Sequence, residues 1–404
     1  MSIKRRSVSL ALCVLVHCCA ARTATADWTQ FRGTDTTGVA SGESLPRDWN
    51  DSGDGKIAWR IDLPGRGVSS PIVVRDLLIV TASSGYKQDR LHVLAFDCET
   101  GERRWERQIW ATGRTLCHPT MAVAAPSPAA DGEHIVAFYS SNDLVCFDLS
   151  GNLLWLRGLG FDYPTAANDV GMASSPIIID NTVVVQVENK GESFAAGIDL
   201  ATGTTRWRHE REHAMNWSSP TLHRDGDDTV VLLQSPGRLT ALDPNSGEQR
   251  WEHATGCSVI PSAVSDGKQI YLPAAGLTAL TVAEGKPKVA WQDNKLGPAS
   301  ASPVTFGDRV YTINSAPALT CADAATGHIS WRTRLTGPFW ATPLVAGDHL
   351  YCVSEKGLAQ VVDRAAGKLV SQFDFAEPIL ASPAASDGAI YFRSDAHLWK
   401  VSRR

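Results

Sequence analysis

The chain has 404 residues, 43% of them hydrophobic, and carries 43 acidic side chains against 38 basic ones. Four of the basic ones, Lys4, Arg5, Arg6 and Arg22, fall in the first 26 residues, so the remainder has a net charge near −9. That balance, with no cluster of Lys and Arg, reads against a nucleic-acid partner, because phosphate binding needs one.

Residues 1–26 read as a targeting segment: a basic start at Lys4, Arg5 and Arg6, an apolar stretch from Val8 to Ala21, and small residues at Ala24-Thr25-Ala26. The apolar stretch is shorter than the ~20 residues of a membrane span, and nothing later approaches that length. Leu15-Val16-His17-Cys18 has the outline of a lipoprotein cleavage site, but His fits poorly before the Cys. The expectation is an exported protein, periplasmic or secreted, beginning near Asp27. Residues 27–54 form a polar, Gly-rich extension with aromatic anchors at Trp28, Phe31 and Trp49, expected to drape over a face of the remaining chain.

From residue 55 to 404 the chain repeats itself. One half of the repeat is a small residue, then Pro and an apolar run, with copies at Pro71, Pro128, Pro176, Pro220, Pro261, Pro303, Pro343 and Pro383. At Pro261 the residue before it is Ile260 rather than Ser or Thr. The other half is Asp, then Gly, then Trp four residues on, as in Asp97-Gly101-Trp105 and Asp243-Gly247-Trp251. Trp105, Trp155, Trp207, Trp251, Trp291 and Trp331 each end a unit, and Gly367 marks a seventh unit without its Trp. After the eighth Pro the chain stops with no such element, while Asp51-Gly55-Trp59 has the missing spacing at the other end. The spacing therefore predicts an all-β, eight-bladed β-propeller of four-stranded blades. Its last blade is closed by an N-terminal strand from about Gly55 to Leu63, which pairs near 389–401. A ring whose termini share one blade leaves no open edge. Asp and Gly serve the turn before each outer strand, and the Trp packs one blade on the next.

The run Ala95-Phe96-Asp97-Cys98-Glu99-Thr100-Gly101-Glu102-Arg103-Arg104-Trp105 resembles the A-x-D-x-x-T-G-x-x-x-W tryptophan-docking motif of PQQ-type propeller repeats. That motif marks quinoprotein alcohol dehydrogenases and the propeller lipoproteins of outer-membrane β-barrel assembly, and the similarity covers residues 51–404. Trp28-Thr29-Gln30-Phe31-Arg32-Gly33 is also similar to the opening of exported PQQ-like repeat proteins of planctomycete-type bacteria. The resemblance implies docking roles for Trp59, Trp105, Trp155, Trp207, Trp251, Trp291 and Trp331. It does not extend to the adjacent cysteines, calcium ligands or catalytic Asp of the dehydrogenases: the only Cys-Cys pair, Cys18-Cys19, is in the leader. The six later cysteines show no Cys-x-x-Cys spacing, and Cys146 and Cys321 stand where other units carry Ala95, Gly197 or Ala241.

Site candidates come from insertions. The long stretches Glu106–Pro126 and Leu156–Ser174 connect an outer strand to the next inner one, on the face where ligands enter a propeller funnel. His118, Asn168 and Asp169 from these loops, with Asn216, Trp217, Phe339 and Trp340 ahead of inner strands, are candidates for a pocket of aromatic walls and a few polar groups. The plainer alternative has the two tryptophans plugging the channel and the loop residues solvated. His209-Glu210-Arg211-Glu212-His213 satisfies the H-E-x-x-H zinc pattern, but it follows Trp207 at a strand end, where the two His stand ~13 Å apart. Glu188-Asn189, a conceivable calcium pair, reads as a solvated turn. No catalytic residue and no metal ligand is assigned. The functional expectation is a non-catalytic, monomeric binding or scaffold module of the bacterial envelope with a protein, peptide or glycan partner. The alternative is a small oxidoreductase using PQQ and calcium.

Overall fold

Eight antiparallel four-stranded sheets follow one another around a ring. The structure, a computed structural model, describes residues 27–166, 170–226 and 228–404, so the leader expected over 1–26 lies outside the described residues. The first blade comprises Ile72–Val74, Leu77–Ser84, Arg90–Asp97 and Arg103–Trp110, from the axis outward. The last is built from Ala384–Ser386, Ala389–Arg393 and His397–Arg403, with Gly55–Asp62 as its outer strand. Its register runs from Gly55 opposite Arg403 to Asp62 opposite His397. The fold predicted from the spacing is the fold observed. Within the second long insertion, Leu159–Asp162 forms a single helical turn.

The hydrophobic core lies between blades. Each sheet packs on a neighbour through both faces, so inner and middle strands are apolar throughout rather than alternating. Ile72–Val74 and Leu91–Phe96 are buried at every position, whereas Gly55–Asp62 alternates.

The repeat motif has a geometric reason. In six of the seven docking positions the indole N–H of the Trp donates to a carbonyl in the turn of the next blade: Trp59 to Cys98, Trp105 to Leu149, Trp155 to Leu200, Trp207 to Pro244, Trp291 to Ala324 and Trp331 to Arg364. The ring of that Trp lies against the motif Gly of the same turn. A Cβ on Gly101, Gly151, Gly203, Gly247, Gly327 or Gly367 would stand 2.5–2.9 Å from the indole. Across its own sheet the Trp faces a small residue beside a β-bulge, as in Ala95 opposite Trp105, Gly197 opposite Trp207 and Cys321 opposite Trp331. The motif Asp is a turn residue: Asp97 Oδ1 accepts from the amides of Glu99 and Thr100, and the Arg104 guanidinium on Oδ2 holds this carboxyl down at about 2. In the seventh blade, where Ser371 replaces the Trp, its cross-strand partner is the larger Val361. Pro46 and Trp49 of the N-terminal extension stand in for it, approaching Gly55 where a docking Trp approaches the other motif glycines. Trp49 is buried against Phe373 and Phe392.

This arrangement separates two costs of adding a methyl group. Gly247→Ala places a Cβ at φ 72°, 2.5 Å from the Trp207 ring. A left-handed residue costs about 1–2 kcal/mol, and overpacking adds about 1–3. Gly285→Ala, at φ 68° with no atom within 4 Å, incurs only the first. Urea unfolding should show Gly247→Ala losing at least twice as much stability as Gly285→Ala. Equal losses would mean that the Trp–Gly contact sets nothing.

The N-terminal extension crosses the ring on one face. Trp28 exchanges two backbone bonds with Val73, and Thr29 O accepts from the Ala130 amide. Gln30 Oε1 accepts from Ile178 and Thr36 Oγ1 from Leu222. Arg32 donates to Ala263 O, and Gly38 and Ala40 bond Val345. These partners lie in or directly beside the innermost strands of six blades, which have no sheet partner on their axial side. A segment that reaches all six passes over the axis and closes that end of the channel.

Candidate functional site

Ser70, Ser127, Ser175, Ser219, Ser262, Ser302, Thr342 and Ser382 encircle the axis. The backbone N–H of each donates to the hydroxyl of the next at 2.8–3.2 Å, and Ser382 closes the circle onto Ser70 at 3.0 Å. This ring explains the small-residue–Pro motif. The hydroxyl bridges neighbouring blades, and the Pro that comes after it lacks a donor on a strand edge that pairs with nothing. In the fifth blade the position belongs to Ser262, after Pro261, so Ile260-Pro261 is displaced from the register of the other seven copies.

The hydroxyl ring girdles an axial cavity of about 420 Å³. One end is closed by Phe31 of the extension, and the other is walled by Trp217, Trp340, His118 and Met121. Strands alternate in direction, so outer-to-inner connections and second-to-third turns share this second face. Trp217 is held by a bond from Nε1 to Gly171 O (2.8 Å), and Trp340, 36% exposed, by one to Glu355 Oε2 (3.1 Å). His118 is exposed, with Nδ1 2.8 Å from the Thr120 hydroxyl.

Of the residues singled out in the sequence, the structure thus brings together Trp217, Trp340 and His118. Phe339 is buried in the core between the sixth and seventh blades. Asn216 is buried away from the cavity, donating to Glu188 Oε2 and Gln234 O. Asn168 and Asp169 lie outside the described residues. His209 sits in the strand Thr205–Glu210, not on a helix, so the H-E-x-x-H run cannot pair its two His on one helical face.

Glu188-Asn189 is not a solvated turn. Both residues are 1% exposed, and Glu188 is ion-paired at 2.8 Å with Arg211, itself buried. Gln186 and Ser235 also donate to Glu188 Oε1, while Arg211 donates to Thr240 Oγ1 and Leu233 O. The network joins the third and fourth blades beside Trp217. Nothing local marks it, because Arg211 is 23 residues away and was hidden inside the zinc-like run.

Beyond the cavity mouth the same face carries large exposed apolar side chains over the first two blades: Tyr86 (82%), Trp110 (63%) and Phe161 (74%), with Leu116. Trp110 is stacked under Arg90 at 5.0 Å. Chemically the site has little to react with. All six described cysteines are free thiols, and burial pushes those of Cys146 and Cys257 up to about 12. Among the described residues no three of His, Cys, Asp and Glu converge, and the cavity wall has no carboxylate.

Comparison with known proteins agrees with the ring. The family model described as outer membrane protein assembly factor BamB matches residues 49–196, 165–270 and 273–370. The BamB of Moranella endobia is 22% identical over 227 residues, 55% of this chain and 53% of that protein. The chain spans about half the length of the curated relatives it matches. Among solved structures, BamB from Moraxella catarrhalis superimposes with a TM-score of 0.65, at 15% identity, covering 87% of this chain and 98% of that one. A europium-containing methanol dehydrogenase does so with a TM-score of 0.70, at 13% identity, covering 93% and 98%. At these identities the superpositions speak for the fold alone.

Proposed function

The chain belongs to the family of the outer membrane protein assembly factor BamB, and from that premise we propose that it is an exported binding or scaffold module of the bacterial envelope, engaging a protein partner through the Trp-walled face. The observation that carries this reading is the group Tyr86, Trp110 and Phe161 standing exposed beside the cavity mouth. Exposed aromatics grouped on one face are the usual anchors of a protein interface. The relatives' printed name, an assembly factor, supports a protein as the partner. The methanol dehydrogenase neighbour fits a second reading, a PQQ- and calcium-dependent oxidoreductase. The described cavity wall supports it poorly, because its donors are hydroxyls, two indoles and one imidazole, while calcium wants several carboxylate or carbonyl oxygens.

A photo-crosslinking residue at Trp110 or at Phe161, in cells that make the protein, should yield one adduct of the same mass from both positions. Lys286, at the start of an outer strand on the opposite face, should yield none. A folded protein giving no adduct from either aromatic position, or an equal one from Lys286, overturns the docking face.

A further inference from the structure

Three strands of the first blade bring a hydroxyl, an imidazole and a carboxylate into line. Ser84 ends Leu77–Ser84, His92 lies in Arg90–Asp97 and Glu106 in Arg103–Trp110. His92 Nε2 is 2.7 Å from Ser84 Oγ, and its Nδ1 is 2.7 Å from Glu106 Oε1. Burial works against a charge on Glu106, but the bonds it accepts from His92 and Gln108 outweigh it and hold the carboxyl below the usual carboxylate range. An ionised carboxylate only accepts, so the ring proton sits on Nδ1. Nε2 is then left bare towards Ser84, whose hydroxyl is the donor. A nucleophile, a base and an acid that orients the base stand in this relation wherever a serine is activated.

The blade does not need this group in order to fold. His92 stands three residues before Ala95, the partner of Trp105. The same place is Phe194 in the third blade, Ala318 in the sixth and Leu358 in the seventh, three before Gly197, Cys321 and Val361. Glu106 follows its docking Trp directly, where the third and sixth blades carry Arg208 and Arg332.

The hydroxyl also stands where a substrate can reach. Ser84 is the one residue of its strand that is not fully buried. It lies on the cavity-mouth face, where the second strand turns into the third. Directly opposite is Arg90, and opposite Arg90 is Trp110. Residues paired in this way share one face of a sheet. Arg90 and Trp110 are both exposed, the guanidinium 5.0 Å from the ring centre. The row thus sets a cation, for charge that develops on a carbonyl oxygen, and an aromatic surface beside the nucleophile.

We propose that Ser84, His92 and Glu106 form a hydrolytic site for small carboxylic esters, the apolar body of the ester resting on Trp110 and its carbonyl oxygen turned towards Arg90. Ser84 Oγ adds to the carbonyl carbon while its proton passes to His92 Nε2. The bond from that carbon to the alcohol oxygen breaks, and the departing oxygen takes the proton. Water then adds to the acyl-serine carbon, giving one proton to His92. Ser84 Oγ leaves with that proton, and the carboxylic acid is released. Glu106 is a positioning residue that fixes the ring and its tautomer. The site shares Trp110 with the docking face and stands whether or not a protein binds there.

A fluorophosphonate and p-nitrophenyl butyrate test this on the folded chain. The fluorophosphonate should add one phosphonyl group per chain, found on Ser84 by peptide mass. Ser84→Ala should lose the label, and its hydrolysis of the ester should fall by about a hundredfold or more, the scale of a lost activated nucleophile and its base. Glu106→Gln should lower kcat by about tenfold or more with KM unchanged, as expected when an interaction made only in the transition state is removed. No label on Ser84, an undiminished label in Ser84→Ala, or an unchanged kcat in folded Glu106→Gln would each overturn the site. If either variant fails to fold, the position of the label on the unsubstituted chain decides.

Discussion

Replacing Gly55–Asp62 with eight Gly and Ser residues should abolish cooperative folding while leaving the N-terminal extension attached. The strand supplies the whole outer edge of the last blade and seven cross-strand pairs with His397–Arg403. It also carries Trp59, whose ring lies on Gly101 of the first blade and 6.0 Å from Tyr391. Ile57, Trp59 and Ile61 pack on the largest core cluster. Burying each contributes about 1–3 kcal/mol, and a docking contact and a strand edge are lost besides. The sum is comparable with the ~5–15 kcal/mol that holds a typical protein folded. Without the strand, His397–Arg403 becomes a long unpaired edge, which recruits other chains. The checks are urea unfolding followed by tryptophan fluorescence, and light scattering. The expected outcome is a broad, non-cooperative transition and association. A monomer with an unchanged midpoint would mean that the ring does not depend on its terminal strand.

Glu188→Ala should cost about 3–5 kcal/mol, the usual loss when one member of a buried ion pair is removed. The substitution leaves the Arg211 guanidinium 2% exposed and facing hydroxyl and carbonyl groups but no negative charge. Ser235, Gln186 and Asn216 lose their common acceptor at the same time. Arg211→Met alone should be similarly harmful, since it strands the carboxylate. The double substitution Glu188→Met with Arg211→Met should recover most of the stability, because two apolar side chains leave no buried charge. Equilibrium unfolding of the three variants measures this. If the double variant falls by the sum of the single losses, the network contributes more than mutual compensation.

The ring was legible because each blade repeats the same local requirement. Gly203 and Gly247 must be glycine since a Trp from the preceding blade lies on each, and the same necessity recurs at Gly101, Gly151, Gly327 and Gly367. The terminal strand was legible for the same reason, from Asp51-Gly55-Trp59. The site was less so. Trp217, Trp340 and His118 stood out because large or polar residues interrupt a small-residue pattern, yet Phe339 and Asn216 have the same appearance and are buried. Whether a side chain before an inner strand turns to the axis or into the gap between blades depends on neighbours some forty residues away. Ser262 was overlooked because Pro261 drew the register two residues early. Glu188 looked solvated because its partner Arg211 comes from a later strand. Arg32 carried no signal at all: the hydrogen bond its side chain makes among the described residues spans 231 residues to Ala263.

The closure of the last blade also sets an order in time. Gly55 pairs with Arg403, about 350 residues later, so this contact cannot form until the chain has been made through the last blade. Loop closure over that length is entropically costly and slow, and topologies rich in distant contacts fold slowly. The extension adds to the delay, since its bonds to Val73, Ile178, Leu222, Ala263 and Val345 need blades one to seven already placed. Synthesised first, the amino-terminal residues are seated last. Until then the incomplete ring presents two unpaired sheet edges, and the interval between synthesis and sealing is when the molecule is most exposed to proteolysis and to association with its own kind.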